Sequence, residues 1–153
     1  MKNKKLSKSE LYKPCLKEIT NAIENKTILE RMDILCRILK EKIPYYFWVG
    51  FYFPKDEHLK LGPSNGPTVC SQIPYSGVCG KVAKTGKPII VPDVNKFPGH
   101  VVCDPRSKSE IALPVFDSNG KLIAVFDVDS EELGSFDETD SKWLQKILKK
   151  VFY

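Results

Sequence analysis

The stretch SEIALPVFDSNGKLIAVFDVDS, residues 109–130, decides the fold. Its two halves, SEIALPVFD and KLIAVFDVDS, are mostly apolar, and the polar sequence Ser118-Asn119-Gly120 separates them. A turn that contains Asn-Gly between two apolar runs is typical of a β-hairpin. We therefore predict two antiparallel strands joined at this turn.

Upstream of this hairpin, further apolar segments predict more strands. YYFWVGFYF, residues 45–53, has the unbroken aromatic composition of a central strand with both faces covered. A PKDEH turn follows, and HLKLG, residues 58–62, begins the return strand of a second hairpin. We predict a loop over residues 62–66, a short strand over 68–73 and a brief buried strand in PIIV, residues 88–91.

Helices are predicted at both ends of the chain and once between the strands. Apolar residues recur at spacings of three and four in the first and last segments, which is typical of amphipathic helices. The residues that mark the helix ends are Ser7 with Glu10 as a capping box, Asn25, Thr27, Pro44, Gly77, Thr85, Gly86, and Asp137 or Thr139.

This order of elements predicts an α+β fold. The N- and C-terminal helices are expected to pack together on one face of a central antiparallel sheet, and the middle loops to enclose a pocket on the other face. The 153 residues have the length of a single domain. We divide that domain into N-terminal helices at 1–44, the sheet and active-site loops at 45–131, and a C-terminal helix at 135–153.

The composition, 42% hydrophobic and 28% charged, is that of a soluble globular protein. The net charge of +5 reflects lysines that crowd the two ends, in MKNKKLSK and KWLQKILKK. Stacking aromatics do not interleave these lysines as a single-strand groove requires, so no nucleic-acid partner is expected. Because the sequence has neither a signal peptide nor a run of about 18 apolar residues, we expect no membrane span and a cytoplasmic location.

Three of the five cysteines lie in polar segments punctuated by glycine and proline. Cys70 and Cys79 fall in TVCSQIPYSGVCGKVAK, and Cys103 falls in FPGHVVCDPRSKSE. Thiols on loops beside acids are candidates for redox or nucleophilic chemistry. Cys15 and Cys36 lie in the helical segments, where a packing role is expected.

Seven strings between Trp48 and Phe136 carry a family resemblance through their combination and order. They are WVGFY, LGPSNG, VCSQIP, GVCGKVA, VPDVNKFPGHVVCD, SEIALPV and VFDVDS. Together they resemble the free methionine-(R)-sulfoxide reductases, small proteins made of one GAF domain. The resemblance implies reduction of free methionine-(R)-sulfoxide by cysteine thiols, with thioredoxin as the external reductant, and it is compatible with a homodimer. We expect no bound metal and no organic cofactor.

The resemblance also implies roles for the three loop cysteines. Cys103 in HVVCD matches the family's nucleophile, and Cys79 in GVCG and Cys70 in VCSQIP match its two other redox cysteines. The family commonly places a Gly-Lys or Gly-Arg pair before GVCG, whereas here Tyr75 and Ser76 lead straight to that motif. The Cys70–Cys79 interval is therefore one residue shorter than expected, and the order in which the two resolve the oxidised nucleophile stays open.

The substrate pocket is assigned in the same way. Glu110 in SEI, with Asp127 and Asp129 in DVD, matches the acids that line the family's pocket, and Trp48 matches an aromatic wall. Gly80 joins the substrate-binding set because backbone N–H groups at a helix start can hold a carboxylate.

The chemistry is consistent with the residues themselves. Sulfoxide reduction needs a thiolate that attacks sulfur while an acid protonates the oxygen. Arg106 and Lys108 are expected to favour the thiolate of Cys103. Clustered carboxylates raise one another's pKa, so Glu110 or Asp129 is expected to be the proton donor.

The alternation of residues in FDVDS predicts which way the acids point. Asp127 and Asp129 are two apart and share one face of a regular strand, while Phe126 and Val128 face the helices. If Glu110 also faces the pocket, one of the three acids can pair with the ammonium group of a free amino acid. A residue inside a polypeptide lacks that group.

Other functions remain as alternatives. A GAF domain can act without catalysis, as a small-molecule sensor or as a redox sensor that uses the same cysteines. A zinc site formed by the loop cysteines and His100 is a further alternative, although the spacings match no common C-x-x-C arrangement.

Overall fold

The predicted β-hairpin forms the middle of the sheet in a computed structural model that describes residues 5–67 and 69–153. Within these residues, six antiparallel strands are arranged in the order β3-β2-β1-β6-β5-β4. The strands are β1 Trp48–Pro54, β2 Leu59–Asn65, β3 Gln72–Ile73, β4 Ile89–Val91, β5 Ser109–Phe116 and β6 Leu122–Ser130. The α-helices of the same residues are α1 Lys8–Ala22, α2 Ile28–Lys42, α3 Val78–Thr85 and α4 Glu138–Phe152.

The turn between β5 and β6 has the chemistry that the sequence predicts. Gly120 has a φ of +78°, a conformation that glycine adopts without a steric penalty. The Asp117 carboxylate accepts hydrogen bonds from the backbone N–H groups of Asn119 and Lys121 at 2.9 and 3.0 Å. This turn fixes the register of the two strands.

The register sorts the side chains of β5 and β6 onto two faces. Glu110 pairs with Asp129 across the strands, and Ala112 pairs with Asp127. The alternating apolar residues point the other way and are fully buried against α1, α2 and α4: Ile111, Leu113, Ala124, Phe126 and Val128. The prediction of an α+β fold with the terminal helices on one face of the sheet is confirmed.

Each of the three long helices begins with a capping box. Ser7 with Glu10, Thr27 with Glu30, and Asp137 with Asp140 each satisfy backbone N–H groups reciprocally. The predicted caps at Ser7 and Asp137 are confirmed, and α2 begins directly after Thr27. The first helix ends at Ala22, before the predicted Asn25, which has a positive φ of 61°.

Three strand predictions need correction. Strand β1 begins at Trp48, later than the predicted residue 45, because the chain before it turns and the Tyr45 and Tyr46 hydroxyls bond away from the sheet. The loop predicted over residues 62–66 is wrong, because β2 continues to Asn65 and pairs with β1. Pro63 is tolerated there because β3 pairs only with Leu59 and Lys60. In the predicted strand 68–73, only Gln72–Ile73 forms a strand, and Thr68 lies outside the described residues.

A buried carboxylate joins the helices to the start of β1. Asp140, fully buried, accepts hydrogen bonds from the Tyr12 hydroxyl at 2.7 Å, the Tyr45 hydroxyl at 2.5 Å and Lys8 Nζ at 2.5 Å. The Tyr12 hydroxyl is also 2.8 Å from that of Tyr46. Because buried polar groups are costly without partners, this cluster fixes where α1, α4 and the entry to β1 meet.

The helices bear on the prediction that the chain has no membrane span. Among the helices of residues 5–67 and 69–153, none combines the length and the apolar character that crossing a bilayer requires.

We predict that Asp140→Ala will lower the free energy of unfolding by about 3–5 kcal/mol, because Lys8 and the tyrosine hydroxyls lose a shared buried acceptor. Urea denaturation measures this loss. Glu138→Ala, an exposed change in the same first turn of α4, is the matched control and should have a much smaller effect. A loss below about 1 kcal/mol for Asp140→Ala would contradict the role given to this cluster.

Candidate active site

A cavity lies on the face of the sheet opposite the three long helices. Its floor is formed by β1, β5 and β6, and its walls by the start of α3 and the loops that carry Cys70 and Cys103. Its lining includes Trp48, Tyr52, Val69, Ile73, Pro74, Gly77, Val78, Cys79, His100, Val101, Cys103, Asp104, Ser107, Glu110, Asp127 and Asp129. Most of the site residues predicted from the sequence thus meet in one place.

Cys70 and Cys103 are joined by a disulfide in this structure. Their Cα atoms are 5.4 Å apart, although the two residues are 33 positions apart in the chain. The Tyr52 hydroxyl, which the sequence did not identify, donates a hydrogen bond to the Cys70 carbonyl at 3.2 Å. Cys70 therefore reaches Cys103 even though the Cys70–Cys79 interval is short.

The shortened segment is held by Tyr75. Its hydroxyl donates a hydrogen bond to the Lys55 carbonyl in the turn between β1 and β2. Its own carbonyl packs against Gly80, where a Cβ atom would overlap it. The structure thus places Gly80 behind the cavity lining, in contact with Tyr75, while Gly77 and Val78 of the same helix start line the cavity.

The first turn of α3 presents backbone N–H groups toward this region. Gly77 is the N-cap and provides no side-chain hydrogen bond. The first N–H groups of any helix lack partners within the helix, and together with the helix dipole they favour an anion. The predicted helix start at Gly77 is confirmed.

Cys79 takes no part in the disulfide and lines the cavity as a buried thiol, with 3% of its surface exposed. Its Sγ and one carboxylate oxygen each of Glu110 and Asp127 all lie within 4.8 Å of one another. Burial, and then the neighbouring charges of Asp127 and Glu110, raises the pKa of the Cys79 thiol well above its usual value. Cys79 is therefore a thiol rather than a thiolate near neutral pH.

The acids on the floor are the most unusual groups of the site. Glu110 and Asp127 are each only 5% exposed, and Asp129 is partly exposed. Burial, reinforced by the charge of Asp129, raises the pKa of Asp127 to about 8. Burial also raises the pKa of Glu110, and the charge of Asp127 adds to this effect. In the same way, burial and then the charge of Glu110 raise the pKa of Asp129.

One oxygen on this floor has no internal partner. Among the buried side-chain oxygen and nitrogen atoms of residues 5–67 and 69–153, only Asp127 Oδ1 lacks a hydrogen bond. A buried unsatisfied acceptor costs about 1–3 kcal/mol, and such groups often indicate a functional site. A ligand that donates a hydrogen bond or carries positive charge would remove this cost.

Trp48 forms an aromatic wall over the floor. It is 1% exposed, and its ring centroid lies 5.9 Å from that of Tyr52. Strand β1 places Trp48 opposite Asp129 and Gly50 opposite Asp127. The indole lies over Gly50, because a Cβ atom at that position would clash with the ring. Gly50 is thus a further site residue that the sequence did not reveal.

Arg106 and Lys108, which are predicted to favour the thiolate of Cys103, form hydrogen bonds with other groups in this structure. Arg106 Nε and Nη2 donate to the Asp104 carboxylate at 3.1 and 2.7 Å, and the guanidinium lies 4.9 Å from the centroid of the Phe47 ring. These bonds with Arg106 hold the pKa of Asp104 below its usual value. Lys108 Nζ donates to the carbonyl of Pro105 at 3.3 Å. The charge of Arg106 is therefore paired with Asp104, the residue next to Cys103.

Comparisons with known proteins agree with this geometry. The GAF domain family model matches residues 25–149. The chain is 46% identical over 147 residues to GAF domain-containing protein A of Dictyostelium discoideum, which covers 94% of this chain and 91% of that protein. It is 32% identical over 148 residues to the free methionine-R-sulfoxide reductase of Escherichia coli (strain K12), covering 95% of this chain and 89% of that protein.

A solved structure matches over nearly the whole chain. It is the free methionine-R-sulfoxide reductase from Neisseria meningitidis in complex with its substrate, with a TM-score of 0.89 and 35% identity over 99% of this chain and 92% of that one. The predicted GAF fold is confirmed.

We predict that Arg106→Ala will raise the pKa of Asp104 toward the ordinary value of about 3.9, because both side-chain hydrogen bonds are lost. The Arg106 pair contributes its full stabilisation above the ordinary pKa of an unfolded aspartate, and this contribution is lost as the pH falls through the lowered value. Carboxyl NMR titration measures the shift. Lys108→Ala is the matched control and should leave the pKa of Asp104 unchanged; equal titration curves for wild type and Arg106→Ala would contradict the assignment.

We predict that Asp127→Asn will make stability less dependent on pH. The pKa of about 8 in the folded protein lies above the roughly 3.9 of an unfolded chain. The protonated acid therefore stabilises the fold fully below about pH 4, and this contribution is lost as the pH rises through about 8. In urea denaturation, the free energy of unfolding of the wild type should fall relative to that of Asp127→Asn as the pH rises from about 4 to about 8. Asp56→Asn, on the exposed turn after β1, should follow wild type; a variant profile parallel to that of wild type would refute the prediction.

Proposed function

The chain belongs to the GAF-domain family of free methionine-R-sulfoxide reductases, and from this premise we propose that it reduces free L-methionine-(R)-sulfoxide to methionine. The observation that carries the proposal is that Cys103, which is disulfide-bonded to Cys70, lines the same cavity as the buried acids Glu110 and Asp127. The proposal treats residues 1–153 as one GAF domain acting in the cytoplasm.

In the proposed reaction, the reduced Cys103 thiolate attacks the sulfoxide sulfur while an acid protonates the oxygen. Methionine leaves with its sulfur reduced, and Cys103 is oxidised to a sulfenic acid that carries the former sulfoxide oxygen. The Cys70 thiol then attacks the Cys103 sulfur, a disulfide forms and water leaves. The 5.4 Å between the two Cα atoms supports Cys70 as the residue that forms this disulfide.

The proposed proton donor is Glu110. Burial raises its pKa well above the ordinary value, so it holds a proton near neutral pH and can transfer it to the developing oxyanion. Cys79 completes the catalytic set as the thiol beside Glu110 and Asp127. Its raised pKa supports a role in hydrogen bonding to these acids before any role as a nucleophile.

Selectivity for the free amino acid is proposed to arise because the site recognises the ammonium group of the substrate. Asp127 and Asp129 would pair with it, and Asp127 Oδ1, which has no partner within the described part of the chain, would gain one. A substrate whose amino group is blocked would leave this acceptor unpaired, and sites of this kind reject such analogues strongly. Trp48 would contact the apolar part of the substrate.

The substrate carboxylate is proposed to bind at the start of α3. The N–H groups of the first turn, which lack partners within the helix, would supply hydrogen bonds there, and that of Gly80 is included among them. Because Gly80 contacts Tyr75 instead of lining the cavity, its contribution would come from the backbone alone.

The enzyme is proposed to use no bound cofactor and to be recycled by thioredoxin. The external dithiol would reduce the Cys70–Cys103 disulfide by exchange, so two electrons enter for each sulfoxide reduced. A homodimer is compatible with the family and stays a prediction.

The direct test follows NADPH consumption with thioredoxin and thioredoxin reductase. We expect turnover of free methionine-R-sulfoxide and none of the S epimer or of the N-acetylated R-sulfoxide, because the blocked substrate cannot pair with the acids. Turnover of the N-acetylated compound would refute the proposed recognition of the ammonium group but would still support the reductase activity. Absence of all turnover by folded, reduced protein would favour a non-catalytic GAF sensor.

Two variants separate the enzyme from a sensor. Cys103→Ser should abolish turnover and retain substrate binding, measured by calorimetry. Cys15→Ala is the matched control, since Cys15 is buried on α1, on the other side of the sheet. A redox sensor would form the disulfide with peroxide in wild type and show no stereoselective turnover.

A further inference from the structure

Three buried residues of the cavity lining bring together donor atoms suited to a metal ion. Cys79 Sγ and the carboxylate oxygens of Glu110 and Asp127 lie within 4.8 Å of one another, on α3, β5 and β6 respectively. Zinc binds sulfur at about 2.3 Å and carboxylate oxygen at about 2.0–2.2 Å. Donors around one tetrahedral zinc ion are therefore about 3.4–3.6 Å apart, a geometry that small rotations of these side chains would reach.

A second observation points to a positively charged occupant. Only 5% of the surface of Asp127 is exposed, and its Oδ1 has no hydrogen-bond partner in the described part of the chain. Asp127 also lines the cavity, as do Glu110 and Cys79, so an ion that enters the cavity meets all three.

Charge and ligand type favour zinc over other divalent ions. Three acidic groups cannot all ionise in a buried site, because their negative charges repel one another and have lost their contact with water. A bound dication offsets this negative charge, and it deprotonates a thiol that binds it. Magnesium and calcium prefer sets made of oxygen atoms, whereas a sulfur donor combined with carboxylates suits zinc.

We propose that Cys79, Glu110 and Asp127 form a zinc-binding site, and that zinc held there excludes the substrate and inhibits the enzyme. Water would complete the tetrahedron from the open side of the cavity. This ligand set differs from the zinc alternative drawn from the sequence, because Cys70 and Cys103 are joined to each other and contribute no thiolate. The exclusion of substrate rests on the proposed function; the binding of zinc does not.

Binding is tested on the protein with its Cys70–Cys103 disulfide intact, which leaves Cys79 as the thiol available to the cavity. Zinc chloride is titrated by calorimetry, and cobalt chloride serves as a spectroscopic probe because a cobalt–thiolate bond gives a charge-transfer band. We expect one site per chain and a thiolate–cobalt band. Cys79→Ser should abolish the band and weaken zinc binding by more than the roughly 10–100-fold typical of outer-shell changes.

Two further variants control for folding and for the other thiols. Asp127→Asn keeps the shape of the side chain and should weaken zinc binding while circular dichroism stays unchanged. Cys15→Ala should bind both metals as wild type does. No saturable binding to wild type, or an unchanged cobalt band in Cys79→Ser, would overturn the site.

Inhibition is measured separately, with reduced enzyme in the NADPH-coupled assay. Zinc should raise KM for free methionine-R-sulfoxide without lowering kcat, at concentrations that leave thioredoxin and its reductase active on a disulfide control substrate. Zinc binding with a lowered kcat and constant KM would overturn the exclusion of substrate. If the protein binds zinc but turns over no sulfoxide even without it, the proposed function fails while the zinc site stands.

Discussion

The register between β5 and β6 is the constraint on which the rest of the structure depends. It pairs Glu110 with Asp129 and Ala112 with Asp127, so the acids share one face and Phe126 and Val128 occupy the other. Because side chains alternate along a strand, a slip of one residue would bury the acids against the helices and turn the aromatic core into the cavity. One hairpin turn thus determines both where the helices pack and where the polar site forms.

The buried acids show how stability and function are connected in this fold. Glu110 and Asp127 are held where burial makes their charged forms unfavourable, and the fold sustains that arrangement through the large apolar layer between the sheet and α1, α2 and α4. The contrast with Asp140 is instructive, because that carboxylate is equally buried yet receives three side-chain hydrogen bonds. Asp140 is satisfied within the chain, whereas Oδ1 of Asp127 has no hydrogen-bond partner among the residues that the structure describes.

Local signals in the sequence predicted the parts of the fold that depend on local chemistry. The Asn119-Gly120 turn, the caps at Ser7 and Asp137 and the alternation in FDVDS each act over a few residues, and all appear as expected. Features that depend on distant partners could not be derived in this way. The length of β2 is set by its pairing with β1. The start of β1 is set by the hydrogen bonds that the tyrosine hydroxyls before it form with Asp140 and Tyr12. The position of Arg106 is set by its contacts with Asp104 and Phe47. The positions of Cys70, Cys79 and Cys103 around one cavity came from the family resemblance, since spacing alone does not bring three loops together.

The differing burial of the three cavity thiols bears on their division of labour in the proposed mechanism. Cys70 and Cys103 are partly exposed on loops, where an external dithiol can reach their disulfide. Cys79 is buried, and burial, followed by the charges of Asp127 and Glu110, raises the pKa of its thiol and keeps it protonated. Thiolates react with sulfoxides, peroxides and disulfides far faster than thiols do. The same burial that holds the acids protonated therefore protects Cys79 from oxidation, whereas Cys103 and Cys70 are the thiols that react in the proposed mechanism. A bound cation would have the opposite effect, because its positive charge stabilises the thiolate and would activate the thiol that burial protects.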